Sequence, residues 1–272
     1  MVEIRKVSVV SIVEKGTRFY LTALKSFAYQ SYQNTEWLII ENTGSGILQN
    51  RLQKYVEKDK RIRIIVNKNP LPKALVFKQA FDLATGDYIA FLNPMDFWVK
   101  DKIARQIGFM TRYKAPLSHT SYAFADDKYH LLPVGCYHTE KDLSMLNYNS
   151  KNPVSLSTLM IGKDIFLDFS KFEYSSSNDE MMFFLKSGVI SSGMSDVLTL
   201  CRPVFDKQTQ QKIEEMIEGI SQQNPNAEII RSRVLEHHIH SALNVEGLKL
   251  DPTICIGYDV ITSLTKLKNF KI

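Results

Sequence analysis

Apolar positions in the first hundred residues follow two alternating spacings. Short, continuous apolar runs are typical of strands that are buried on both faces. Between them, apolar residues recur every three or four positions, which is typical of helices. The strand-like runs are VSVVSIV (7–13), EWLII (36–40), IRIIV (62–66) and YIAFL (88–92), and the helical segments lie near 18–29, 48–57, 72–84 and 100–112. This order predicts right-handed βαβ units and an α/β fold with a mostly parallel central sheet.

The spacing changes after residue 115. The segment 121–134 predicts a hairpin with Asp126 and Asp127 at its turn, because adjacent acids at a hairpin tip are more often turn formers than a metal-binding pair. Strand-like stretches follow at 154–161 and near 196–201. Between them, an acidic, serine-rich stretch leads into an apolar helix.

Two further helices are expected from Phe205 onward, the first with a clear amphipathic stripe. The stripe consists of Ile213, Met216, Ile217 and Ile220. We therefore expect one domain over residues 1–204 and a helical C-terminal extension over residues 205–272.

Composition places the chain among ordinary globular proteins, since 44% of its 272 residues are hydrophobic and 23% are charged. The three cysteines are far apart and the N-terminus lacks a signal-peptide layout, so a cytoplasmic location is expected. The net charge of +5 is most simply that of a solvated surface, although it could also favour an anionic substrate or membrane surface. Because Lys and Arg are scattered, nucleic acid is not an expected partner. The basic tail LTKLKNFKI (264–272) is either a peripheral contact with a membrane or partner, or a solvated end.

Polar residues follow each of the four predicted parallel strands. In an open α/β sheet, ligands bind beyond the carboxyl ends of the strands, where such side chains converge. Amide and carboxylate groups there can hydrogen-bond a base and a ribose, and one acid can share a divalent ion with substrate phosphates. The residues are Glu14, Glu41, Asn42, Asn67, Asn69 and Asp96. The P-loop and dinucleotide fingerprints are absent from the sequence.

Several segments together resemble family 2 glycosyltransferases, which are nucleotide-sugar enzymes of the GT-A fold. They are VSVV (7–10), SFAYQSYQNTEWLII (26–40), LATGDYIAFL (83–92) and DFWVKDKIARQIGFM (96–110). The resemblance covers residues 5–112 well and residues 154–202 more loosely. It implies a single GT-A-like domain with a nucleotide-sugar-binding half (1–112) and an acceptor or catalytic half (113–204). By the same resemblance, the donor is a nucleotide-diphosphate sugar, most simply a UDP-sugar, and the acceptor is a glycan or a lipid-linked glycan.

The chain departs from the family pattern at the donor-binding positions. An Asp-Asp-Gly-Ser-like motif, which contacts base and ribose in the family, is replaced by the segment that begins with Glu41 and Asn42. An Arg-Asn pair corresponds to Phe77 and Lys78, so Lys78 either faces a phosphate or is a solvated lysine. Glu14 follows the first strand, where the family has a Pro-x-Tyr-Asn-like turn.

The acidic metal motif of the family is reduced to one carboxylate. Its Asp-x-Asp-Asp-like pattern reads Asn93, Pro94, Met95 and Asp96 here. The resemblance implies that Asp96 holds a divalent Mn²⁺ or Mg²⁺ ion at the diphosphate and that Asn93 lies toward the ribose. The alternative for Asp96 is an N-cap of a helix that begins near Val99.

Inverting transfer needs a base that accepts the proton of the acceptor hydroxyl. In the family, an acidic pair at the start of a helix supplies it, and Asn178 and Asp179 occupy the matching point. The resemblance therefore implies that Asp179 is the base. The alternative is a helix-start residue that is stabilised by the helix dipole.

Three alternatives remain open. The first is a catalytically silent GT-A-like domain that binds a nucleotide, a glycan or a partner. The second is a nucleotidyltransferase, for which only Lys15, Gly16 and Arg18 follow the first strand. The third concerns the histidines at 237–240: His238 is expected on the apolar face of its helix, and His240 points away from it. His237 and His240 are i, i+3 neighbours that could share an ion, and a single histidine here could instead contact the acceptor or the donor phosphate. The oligomeric state is not fixed by the sequence.

Overall fold

The computed structural model describes residues 5–17, 21–125, 131–136, 142–144, 154–165, 167–169 and 179–202. The hairpin turn at Asp126 and Asp127, the helices expected after Phe205 and the three histidines lie outside these ranges. So does the proposed C-terminal extension.

Five helices and ten strands are present in the described part of the chain. The strands are β1 (Val7–Val13), β2 (Thr35–Glu41), β3 (Ile62–Val66), β4 (Tyr88–Phe91), β5 (Phe97–Trp98), β6 (Leu117–Ala125), β7 (Leu131–Cys136), β8 (Asp142–Leu143), β9 (Met160–Gly162) and β10 (Ser191–Cys201). The helices are α1 (Leu21–Ala28), α2 (Ile47–Lys58), α3 (Lys73–Leu83), α4 (Lys102–Tyr113) and α5 (Asp179–Lys186). The alternation predicted for the first hundred residues is therefore confirmed.

One sheet runs through the molecule in the order β3-β2-β1-β4-β9-β6-β10-β5. The first four strands pair in parallel, and β6 and β10 also pair in parallel. Short β9 is antiparallel to both β4 and β6 and joins the two parallel groups. This is the mixed, mostly parallel α/β sheet that the sequence predicts.

Both faces of the sheet are covered by helices, which explains the continuous apolar runs. Val9 and Trp37 belong to the core under α1, α2 and α4. Their neighbours Val10 and Leu38 point the other way, into the core under α3 and α5. Successive strand residues therefore pack on opposite faces of the sheet. Because both faces are buried, the strands do not alternate regularly between apolar and polar residues.

Two sequence-based expectations are corrected here. The stretch 154–161 is not a single strand, because a 3-10 turn (Leu156–Thr158) precedes β9. The Thr158 N–H and hydroxyl both donate to the Ser155 carbonyl, at 2.9 and 2.6 Å, and close that turn. Asp96 does not cap a helix, because β5 follows it and α4 begins only at Lys102.

The amino edge of the sheet carries a polar cluster that is structural. The Glu36 carboxylate accepts hydrogen bonds from the Ser8 hydroxyl at 2.6 Å and from the Thr85 N–H at 2.7 Å. Gly86 lies so close to β1 that a Cβ there would be 2.6 Å from the Ser8 nitrogen and 2.8 Å from the Lys6 carbonyl oxygen. The turn before β4 therefore requires glycine for close approach.

Gly86→Ala is expected to destabilise the fold by about 1–3 kcal/mol, because the backbone of β1 must move to admit the methyl group. Gly108→Ala is the matched control. Gly108 is in α4 with nothing within 4 Å of a Cβ, so alanine there is expected to add roughly 1 kcal/mol through helix propensity. Urea unfolding of both variants measures the difference, and equal stabilities would contradict it.

Lys102 has a buried amine in the first turn of α4. Its side chain is fully buried, and its Nζ lies 4.0 Å from the centroid of the Trp98 ring. The Nζ has no hydrogen-bond partner among the described residues. Burial lowers the pKa of Lys102 well below its usual value of 10.5.

Lys102→Met is expected to stabilise the protein at pH 7 by about 1–4 kcal/mol, since it removes the cost of burying an amine. In the wild type the unfolded chain binds this proton more tightly than the fold does, so stability rises with pH toward 10.5. That rise is expected to disappear in the variant. Exposed Lys60 supplies the control, Lys60→Met, with an expected change within about 0.5 kcal/mol. Denaturant unfolding between pH 7 and 10 tests this, and a destabilised Lys102→Met would contradict it.

Candidate active site

The carboxyl ends of three parallel strands lie side by side at one edge of the sheet. Val13 pairs with Glu41, and Glu41 pairs with Val66. The Asn42 N–H donates to the Val13 carbonyl at 2.8 Å, and the Asn67 N–H donates to the Glu41 carbonyl at 3.0 Å. The polar residues that follow these strands are therefore neighbours, as the sequence predicts.

Glu41 is buried at this edge and holds the loop that leads into α2. Its carboxylate accepts hydrogen bonds from the Thr43 and Ser45 hydroxyls at 2.9 and 2.8 Å and from the Gln49 N–H at 3.2 Å. Burial alone raises the pKa of Glu41, but these hydrogen bonds outweigh it and hold the pKa below its usual range. The carboxylate thus serves the N-terminus of α2, and its predicted contact with a donor base stays a prediction.

An amide network connects the ends of β2 and β3 to α3. The Asn42 side chain accepts from the Leu71 N–H and donates to the Leu71 carbonyl, both at 2.8 Å. Its Oδ1 also accepts from Asn67 at 3.1 Å, and Asn67 exchanges two hydrogen bonds with Gln79. Asn42 therefore acts first as a brace for the loop before α3.

Three other predicted donor contacts lie in different surroundings. Glu14 is half-buried after β1, where its backbone closes a turn with Thr17. Asn93 follows β4, and its Oδ1 accepts from the Met95 N–H at 3.0 Å. Lys78 lies on the exposed face of α3 in an ion pair with Asp82 at 2.7 Å. Glu14 and Asn93 are at the carboxyl edge, and Lys78 is midway along a helix that leads away from it.

Asp96 is the centre of a buried hydrogen-bond network. Its side chain is 5% exposed. One oxygen, Oδ2, accepts from the Ser157 hydroxyl at 2.6 Å and from the Cys201 thiol at 3.6 Å. The other oxygen, Oδ1, accepts from the Arg202 N–H at 3.2 Å. The carboxyl group thus joins the segment after β4 to the 3-10 turn and to the end of β10.

The pKa of Asp96 is raised to about 6 by burial, although Ser157, the Arg202 N–H, Cys201 and the Arg202 charge all act to lower it. Desolvation therefore outweighs four favourable contacts. The group is a carboxyl whose charge changes near pH 6, and its two oxygens accept three hydrogen bonds from the protein.

Asp96 is the one carboxylate that this motif offers to a divalent ion. Its Oδ2 accepts hydrogen bonds from Ser157 and Cys201, whereas its Oδ1 accepts one from the Arg202 N–H and keeps a lone pair for Mg²⁺ or Mn²⁺. The predicted metal role of Asp96 stays a prediction. Asn93 and Met95 occupy the other positions of the motif and add no carboxylate. In the described ranges, no three His, Cys, Asp or Glu side chains are grouped as a metal site.

Sequence reasoning missed the three residues that donate to Asp96, which are Ser157, Cys201 and Arg202. Ser157 is fully buried. Its hydroxyl accepts the Asn93 N–H at 2.9 Å, and its carbonyl accepts the Trp98 Nε1–H at 2.8 Å. Arg202 directly follows the apolar strand β10, so it satisfies the same rule that identified Glu14 and Asn42. Ser157 had no comparable signal, because its role depends on a turn that was predicted as a strand.

Asp179 is the first residue of α5, as predicted from the acidic stretch before an apolar helix. The helix is fixed to the sheet by aromatic contacts. Phe184 lies with its ring centroid 6.1 Å from that of Phe91, the last residue of β4. The start of α5 and the segment that carries Asp96 therefore belong to the same packed unit.

Comparison with known sequences identifies the class of protein. Residues 19–154, half of the 272-residue chain, match the family Glycosyl transferase family 2. The protein belongs to this family, which confirms the resemblance drawn from its sequence.

Two relatives show how far the similarity extends. A glycosyltransferase of Haemophilus influenzae is 25% identical over 58% of this chain and 62% of its own length. The Escherichia coli enzyme WfaP, a UDP-Glc:alpha-D-GlcNAc-diphosphoundecaprenol beta-1,3-glucosyltransferase, is 27% identical over 71% of this chain and 76% of its own. The chain thus spans less than two thirds of the length of the Haemophilus relative.

The fold agrees with that of a solved structure. TarS residues 1–349 of S. aureus, in complex with UDP-GlcNAc, superpose with a TM-score of 0.57 at 14% identity. The superposition covers 96% of this chain and 80% of the TarS chain. The GT-A-like fold expected from the sequence is therefore confirmed.

No helix in the described ranges is long and apolar enough to cross a membrane.

Asp96→Asn is expected to remove a pH dependence of stability. In the wild type the folded carboxyl has a pKa of about 6 against 3.8 in its ordinary state, so stability falls as pH rises from about 4 to 6. An amide keeps an acceptor for the Arg202 N–H and carries no charge. The variant is therefore expected to lack the fall and to be more stable at pH 7 by roughly 3 kcal/mol.

Urea unfolding at pH 4, 5, 6 and 7 measures this effect. Asp82→Asn is the matched control, because Asp82 is 61% exposed in a surface ion pair that contributes about 0–1 kcal/mol. The same decline with pH in Asp96→Asn as in the wild type would contradict the assignment.

Proposed function

We propose that the protein is an inverting glycosyltransferase. It moves a sugar from a UDP-sugar to a hydroxyl of a glycan or lipid-linked acceptor during synthesis of a surface polysaccharide. Family membership supports glycosyl transfer. The names of WfaP and of the TarS complex support a UDP-sugar, and that of WfaP supports a lipid-linked acceptor.

One observation carries this proposal: α5 is packed against the end of β4. The Phe91–Phe184 contact holds the helix that begins at Asp179 on the strand that ends just before Asp96. A base and a donor site must keep a fixed separation for in-line attack. A rigid aromatic contact between their supporting elements supplies that constraint.

Asp179 is the proposed base. The acceptor hydroxyl gives its proton to the Asp179 carboxylate as its oxygen forms a bond to the anomeric carbon. The bond from that carbon to the diphosphate oxygen breaks on the opposite face, and UDP leaves with the electron pair. A first-turn acid at a helix N-terminus is stabilised as the carboxylate, which suits a proton acceptor.

The donor is proposed to lie across the carboxyl edge between Glu14 and Asn93. Because Glu41 and Asn42 are engaged by their own loops, they contribute through the shape of the edge. Lys78 requires the loss of its ion pair with Asp82 to reach a phosphate. It is the weakest of the predicted donor contacts.

Enzymes of the GT-A fold commonly use a divalent metal at the leaving diphosphate. In the described ranges Asp96 is the one carboxylate of the motif that such an ion could use, and no step of the proposed reaction passes through an ion. A location in the cytoplasm at the inner membrane face is proposed from the lipid-linked acceptor alone.

A catalytically silent domain is the second candidate. The internal hydrogen bonds of Glu41 and Asn42 favour it, since both acceptors are occupied without a ligand. Such a domain would bind a nucleotide or a partner but release no UDP.

Asp179→Asn is expected to lower turnover by about 10²–10⁴-fold, because the amide cannot accept the acceptor proton. UDP binding is expected to stay within about threefold, since the base does not touch the nucleotide. UDP release from UDP-glucose with GlcNAc-diphosphoundecaprenol measures the first quantity, and calorimetry measures the second.

Glu180→Gln is the control, because it neutralises the next acid along the same helix and is expected to keep turnover. Loss of UDP binding in Asp179→Asn would contradict the role of a base. A wild-type protein that binds UDP and releases none from several UDP-sugars would favour the silent domain.

A further inference from the structure

We infer that Ser157 is a positioning residue of the donor site. Its hydroxyl fixes the carboxyl group of Asp96 in the orientation in which one oxygen, Oδ1, is left for the divalent ion that accompanies the donor diphosphate. This inference rests on the proposed function and on the predicted metal role of Asp96. Ser157 acts through Asp96 and is not assigned a contact with the sugar or the nucleotide.

Ser157 contacts the segment 93–98 at three points. Its hydroxyl accepts the Asn93 N–H at 2.9 Å and donates to Asp96 Oδ2 at 2.6 Å. Its carbonyl accepts the Trp98 Nε1–H at 2.8 Å. Because Ser157 is fully buried, water does not compete for these groups. The 3-10 turn that carries Ser157 therefore sets the conformation of the segment that replaces the acidic motif.

The direction of the Ser157 hydroxyl proton is fixed by its two partners. A serine hydroxyl has a single proton to donate and accepts through its lone pairs. The backbone N–H of Asn93 can only donate to it, and an ionised Asp96 carboxylate can only accept from it. The proton therefore points at Asp96, and the donor and acceptor of this hydrogen bond cannot exchange roles.

The same hydrogen bond decides which oxygen of Asp96 remains for an ion. A carboxyl group turns over a broad range about its terminal bond, so the rotamer alone does not fix its plane. Oδ2 accepts from Ser157 and Cys201, whereas Oδ1 accepts, among the described residues, from the Arg202 N–H only. One lone pair of Oδ1 is left for an ion. Since Asp96 is 5% exposed, protein donors and not water hold this orientation.

The orientation matters because the motif offers a single carboxylate. Asn93 and Met95 occupy other positions of the motif and bring no carboxylate. An Mg²⁺ or Mn²⁺ ion held in this way completes its shell with water and with phosphate oxygens of the substrate. Each of the two ligands, ion and diphosphate, then raises the affinity of the protein for the other by the same factor. A residue that orients a metal ligand typically contributes about 10–100-fold to metal affinity.

Calorimetric titration of UDP into the full chain, once with EDTA and once with saturating Mn²⁺, measures this coupling. The wild type is expected to bind UDP at least about tenfold more tightly with Mn²⁺. Ser157→Ala is expected to lose about tenfold of that gain, while its dissociation constant in EDTA stays within about threefold of the wild type. Electron paramagnetic resonance of free Mn²⁺, with and without UDP, measures the same factor from the metal side.

Thr199→Val is the matched control. Thr199 is fully buried, and its hydroxyl donates to the Ser157 carbonyl at 3.1 Å. It supports the same turn, and no hydrogen bond joins it to Asp96 in the described part of the chain. The variant is expected to lower thermal stability as Ser157→Ala does but to keep the Mn²⁺ gain. Ser157→Thr retains the hydroxyl and is expected to keep the gain as well.

The outcomes separate this inference from the proposed function. Equal binding of UDP by the wild type in EDTA and in Mn²⁺ would overturn the inference and leave the glycosyltransferase in place, whatever the variants do. A folded Ser157→Ala with the wild-type Mn²⁺ gain would also overturn it. So would an equal loss of the gain in Thr199→Val, because the stability of the turn would then explain both results. No binding of UDP, GDP or CMP in either condition would overturn the inference and the proposed function together.

Discussion

The hydrogen bond from the Ser157 hydroxyl to Asp96 joins the two parts of the sheet. Asp96 follows the parallel strands of the first half, and Ser157 precedes β9, the short antiparallel strand between the halves. The same carboxyl group accepts the Arg202 N–H at the end of β10. Three segments that are far apart in sequence therefore meet at one buried group. These hydrogen bonds depend on one another, because a buried carboxyl group without donors would lower the stability of the fold.

One acid remains where the family pattern has several. Asp96 accepts hydrogen bonds from Ser157, Cys201 and the Arg202 N–H, whereas the neutral residues Asn93 and Met95 occupy other positions of the motif. The remaining carboxyl group therefore has structural contacts in this chain, and these contacts are present whether or not it has a role toward the donor.

Buried polar side chains also hold loops in place at the ends of β2 and β3. Glu41 serves the N-terminus of α2, and Asn42 binds the backbone of Leu71 on both its amide atoms. Each side chain forms hydrogen bonds with backbone groups that the loop would otherwise leave without a partner. Polar residues at the carboxyl edge of a sheet can therefore have a structural role. Their position in the sequence does not distinguish that role from ligand binding.

The sequence alone determined the order of strands and helices and the family, because apolar spacing is imposed locally by burial on both faces of a parallel sheet. It also placed Glu14, Glu41 and Asn42 at one edge, since parallel strands end together. Tertiary structure decided what those groups do. Whether Asp96 faces an ion or a serine depends on Ser157 and Arg202, which lie 61 and 106 residues away along the chain. Such contacts follow from the pairing of β9 with β4 and of β10 with β5, and no local pattern around Asp96 encodes them.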